Sequence, residues 1–90
     1  MDNQELRKHL QAIQDEIKKA GAVDEKGAQM LHDLDQDLHD LLERSEETPV
    51  PVQDSLVDRL QGTLYHFEAT HPSLTTAISK FLTSLSSAGI

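Results

Sequence analysis

The chain of 90 residues has no cysteine and no tryptophan, and its aromatic side chains are one tyrosine and two phenylalanines. Without cysteine there is no disulfide framework, no thiolate zinc site and no cysteine nucleophile. Long hydrophobic runs are missing too: nowhere do more than two apolar residues stand consecutively, a pattern that cannot supply a spanning helix. Glycine is sparse, and Gly21, Gly27, Gly62 and Gly89 are too scattered to make a phosphate-cradling loop. Basic charge is scarce, with eight Lys and Arg against sixteen Asp and Glu, net -8. A phosphate backbone would meet like charge over most of such a surface, so no nucleic-acid partner is expected.

Hydroxyls are plentiful toward the C-terminus, at Ser79, Thr83, Ser84, Ser86 and Ser87. None lies in a Gly-x-Ser-x-Gly elbow or beside a base, so the sequence gives no support to an enzyme and none to a bound cofactor. Met1 to Leu10 carry charge and amide groups where a secretory signal would have an apolar core, and a cytoplasmic protein is expected.

What the sequence does contain is helical periodicity. Leu6, Leu10, Ile13, Ile17 and Ala20 step by four and three, which at about 100° per residue puts them in one narrow stripe, suited to a single packing seam. Asp2 and Glu5 have the spacing of a capping box at its start, and Gly21 suits its end. Val23 and Asp24 restart the chain as staple and N-cap, and Leu31, Leu34, Leu38, Leu41 and Leu42 form the second stripe. The short connection folds these two helices back as an antiparallel hairpin. Pro49 and Pro51 then mark a linker.

A third stripe runs Leu56, Leu60, Leu64 and Phe67, with Val57 on its flank, and ends or kinks near His71, which precedes Pro72. Pro72 suits the first turn of a fourth helix carrying Leu74, Ile78, Phe81 and Leu85, widened by Ala77 and Leu82, with Gly89 as its stop. The expected fold is therefore all-α: an acidic hairpin over 1–44, a linker over 45–52 and a second hairpin over 53–90, packing as a small bundle. Charge is unevenly split. Met1 to Thr48 holds thirteen acidic and six basic residues, whereas Pro49 to Ile90 holds three and two.

Phe67-Glu68-Ala69-Thr70-His71-Pro72, then Leu74 and a closing Leu85-Ser86-Ser87-Ala88-Gly89-Ile90, resemble the short acidic bacterial proteins grouped as domain of unknown function 4404. The resemblance covers almost the whole chain. It implies an all-helical bacterial protein and brings no activity with it.

Three constellations invite a metal. Asp33, Asp35 and Asp37 are spaced like the opening of a calcium loop, but Leu38 stands where that loop needs glycine and Arg44 where it needs a bidentate carboxylate. His32 and His39 share a flank of helix two with Asp35, yet seven residues of helix rise about 10.5 Å, too far for two imidazoles to converge on one ion. Glu68 and His71 have di-iron spacing, but the facing carboxylates that such a centre needs have no candidate. No metal site is expected.

Two surfaces invite a partner. Asp33, Asp37 and Asp40 lie along one side of helix two, as a solvated face or as a patch for a basic polypeptide. Helix four combines Phe81 and Leu85 with Thr75, Thr76, Ser79, Thr83, Ser86 and Ser87, and carries one charge, Lys80. Such a face fits packing against another subunit, or, as the alternative, the surface of a membrane. The functional expectation is a non-enzymatic interaction or structural module that dimerises through its leucine-rich faces, with an unidentified protein as a further partner.

Overall fold

The computed structural model describes residues 3–21, 23–45 and 54–88. They form four helices, α1 (Asn3–Lys19), α2 (Glu25–Ser45), α3 (Asp54–Phe67) and α4 (Pro72–Ala88), with no strand among the described residues. At 1.5 Å per residue the longest, α2, spans about 31 Å, which accounts for most of the 36 Å length of the molecule.

Local chemistry sets the boundaries. Gly21 takes a positive φ of 69°, the left-handed turn that closes α1. The Asp24 carboxylate caps α2, its Oδ1 accepting from the Gly27 amide at 2.7 Å. At Pro72 the ring takes a helical position where no amide donor is needed, and the first bond of α4 runs from the Thr75 amide to the His71 carbonyl at 3.2 Å. α3 ends at Phe67, earlier than the proline alone requires, and 68–70 form a turn closed by bonds from the Thr70 and His71 amides to the Phe67 carbonyl. Asp2, Gly89 and the prolines at 49 and 51 lie outside the described residues, as do the cap, stop and linker expected there.

Each helix packs against two neighbours, in the ring order α1, α2, α3, α4 and back to α1. Adjacent helices run antiparallel. Early α1 meets late α2, where Arg7 Nη1 donates to the Leu42 carbonyl at 3.4 Å, and late α4, where Ser84 Oγ lies 3.1 Å from His9 Nε2. The two hairpins therefore close on one another within one chain. This makes an up-down-up-down four-helix bundle.

The stripes meet inside it. Leu6, Leu10 and Ile13 of α1, Leu31, Leu34, Leu38 and Leu41 of α2, Leu56, Leu60 and Phe67 of α3, and Leu74, Ile78 and Phe81 of α4 are all buried. Although its stripe is narrow, α1 belongs to this shared core and not to a single seam, because it packs against both α2 and α4. On α3 the buried position is Thr63 and not Leu64, which packs half-buried at the core's edge together with Ile17 and Leu85. Thr63 follows Leu60 by three and precedes Phe67 by four, so geometry selects it. Its hydroxyl is satisfied by donating to the Arg59 carbonyl at 2.8 Å.

Candidate functional site

A group of polar side chains meets at one end of the bundle, where α1 and α3 finish and α2 and α4 begin. Phe67 is the hub. His66 and His71 both approach its ring edge to face, with centroids 4.8 Å and 5.2 Å away. A Cβ added to Gly27 would lie 2.9 Å from Phe67 Cζ and 2.6 Å from Asp24 Oδ1, so only glycine lets α2 start this close to α3. Asp24 also faces His66, Nε2 to Oδ1 3.2 Å, tying the start of α2 to the end of α3. The Gly27 amide above all, and then the His66 contact, hold the Asp24 carboxyl below its ordinary value. His71 Nε2 donates to the Ala20 carbonyl at 2.8 Å, tying the α4 turn to the end of α1. Its Nδ1 lies 2.9 Å from the Thr70 hydroxyl, which donates to it in the same tautomer.

Together these contacts tie all four helices at one end. The residues that carried the family resemblance, Phe67, His71 and Pro72, are hub, tie and helix start. His71, paired in sequence with Glu68 as a conceivable ligand, is bonded on both ring nitrogens to protein groups, and Glu68 is exposed. His39 pairs with Glu43 on its own helix at 3.3 Å. Among the described residues, no three His, Asp or Glu side chains gather in a group that would hold a metal ion.

The residues expected to form interaction faces separate into four situations. Asp33 and Asp37 turn toward α3, where Arg59 reaches both, at 3.8 Å and 3.1 Å. Asp40 stays on the outside and pairs with Arg44 at 3.4 Å. Phe81 is a correction: it is fully buried and stacks on His9, ring centroids 5.4 Å apart, so the folded bundle does not present it as an anchor. Leu85 is half-buried against the core. The outer side of α4 is polar, with Thr76, Ser79, Lys80, Thr83 and Ser86 exposed.

Sequence reasoning passed over four residues that the structure brings forward: His9, Gly27, Thr63 and Tyr65. A signal existed for Gly27, which stands three residues after the N-cap, where its amide meets the capping carboxylate. None existed for Tyr65, the large hydrophobic side chain left exposed among the described residues, at 75%. Shallow grooves flank α1 and α4, the one lined by His9, Ala12, Asp15, Lys19 and Lys80 holding about 330 Å³. It mixes both signs of charge and gathers no reactive set.

Fold and contacts thus define an antiparallel four-helix bundle in which Asp24, His66, His71 and Arg59 join neighbouring elements to one another. The chain belongs to the family described as Domain of unknown function (DUF4404), which it matches over residues 6–90. No match to it was found among curated proteins or solved structures. Among the described residues no helix is long and apolar enough to cross a membrane.

Proposed function

We propose that this protein is a non-enzymatic interaction module, a rigid helical bundle that acts by presenting its outer faces to another polypeptide. One observation carries the reading. The side chains with most chemical potential, Asp24, His66 and His71, are engaged with groups on neighbouring elements and serve the architecture. The leucines expected to form a dimer seam are themselves buried within one chain. Self-association of the folded protein therefore runs through its outer faces. Membrane docking through α4 is the weaker reading, because Phe81 would have to leave the core to serve as its anchor.

Crosslinking inside cells, followed by denaturing isolation, tests the proposal. A discrete adduct with another polypeptide supports it, and an adduct of twice the chain's 10.0 kDa identifies that polypeptide as a second copy. Uncrosslinked chain alone, with a lysine-rich bystander crosslinked in the same cells, overturns it.

A further inference from the structure

The outward face of α3 holds two features that the bundle itself does not account for. Tyr65 is exposed, and one turn before it Gly62 stands inside the helix with nothing beyond its chain neighbours and its own helix backbone within 4 Å of where its Cβ would be. An exposed aromatic alone asks for no explanation. A glycine in a helix interior is different, since it weakens the helix relative to alanine, and no internal neighbour requires it here. Gly27 has Phe67 pressed against it and Gly21 has a positive φ, whereas Gly62 has neither reason. Together Gly62 and Tyr65 make a bare patch of backbone beside an upright ring.

Charge around this patch has one sign. Asp54 and Asp58 are exposed on the outward side of α3, Glu68 is exposed in the turn that follows it, and the Arg59 guanidinium of the helix is already engaged by Asp33 and Asp37. A second copy of this chain, net -8, meets repulsion here. An arginine-bearing segment meets the reverse, since one guanidinium laid on the Tyr65 ring leaves others along the segment to face the exposed carboxylates of Asp54 and Asp58.

Resting on the interaction reading above, we infer that the Gly62 and Tyr65 face of α3 docks a basic, arginine-bearing helical segment of a partner protein. Tyr65 stacks one guanidinium, Asp58, two turns earlier, pairs with a second arginine of the segment, and Gly62 between them lets the partner's backbone approach closely.

The test uses the full chain labelled with ¹⁵N and titrated with an alanine-rich helical peptide bearing arginines along one face. The largest amide shifts are expected over 58–69. Tyr65→Ala, which leaves the charge unchanged, weakens binding about fivefold, the loss of an exposed cation–π contact. Lysine in place of arginine in the peptide weakens it as well. Gly62→Ala raises Tm and yet weakens binding, a combination that a merely structural glycine would not produce. Shifts confined to α2, or full affinity in both Tyr65→Ala and Gly62→Ala, overturn the site and leave the interaction reading standing. Absence of any shift overturns the arginine-bearing partner, again without touching the crosslinking result.

Discussion

Phe67 packs against the bare Cα of Gly27, closely enough that a methyl group there would stand 2.9 Å from its ring. Gly27→Ala therefore sets two effects against each other. Alanine favours the helix by about 1 kcal/mol, and overpacking a filled site costs about 1–3 kcal/mol. Phe67 is fully buried and cannot swing aside, so overpacking wins and a net loss of about 1 kcal/mol is expected. Urea unfolding measures it; a variant more stable than the wild type would refute the close packing. Gly62→Ala, facing open space, is the contrasting case and gains stability.

The carboxylate beside that glycine has a pH signature. Because the Gly27 amide and then His66 hold the Asp24 pKa below its ordinary 3.8, the carboxylate stabilises the fold fully above about that value, and the contribution disappears as pH falls through the lowered folded-state pKa. Asp24→Ala should thus lower Tm at neutral pH and converge on the wild type in acid. Parallel curves across the whole range would show that the cap contributes nothing through its charge.

How far the sequence revealed this arrangement depends on which interactions set each feature. The four helices were legible because leucines at helical spacing report a buried face directly, and Gly21, Asp24 and Pro72 because caps and breakers act within a few residues. The ring order was not, since it depends on which stripe meets which. Phe81 was misassigned for the same reason: an apolar residue at core spacing fits a subunit interface as well as an interior until the partners of α4 are known. The packing of Phe67 on Gly27 and the His71 tie were hidden because Phe67 and Ala20 lie tens of residues away in the chain from the residues they meet. Of the expected interaction face, Asp40 is exposed, Asp33 and Asp37 are shared with Arg59, and Tyr65 came only from the structure.

Thr63 offers a test of the core's chemistry. Its hydroxyl is fully buried and bonds back to the Arg59 carbonyl, an acceptor that the helix already supplies with an amide donor. Thr63→Val keeps the shape and replaces the hydroxyl by a methyl. Removing the hydroxyl leaves no donor stranded, so stability should hold or rise by up to about 1 kcal/mol. A loss larger than that would mean that the hydroxyl has another buried partner.

Arg59 ties α2 to α3 from the surface, half in solvent, and its two aspartates are equally open. Exposed pairs of this kind contribute about 0.2–1 kcal/mol, so Arg59→Ala is expected to cost little by pair count alone. The consequence lies in what it uncovers. Asp33 and Asp37 stand four residues apart on α2, with Asp40 three further on, and without the guanidinium their mutual repulsion is unopposed on that side. Salt then acts with opposite sign in the two proteins at this locus. It screens an attraction in the wild type and a repulsion in the variant. Arg59→Ala should therefore gain more stability from added salt than the wild type does, and the gap between their melting temperatures should narrow as ionic strength rises. A gap that does not change with salt would mean that Arg59 holds α3 through its aliphatic stem and not through its charge.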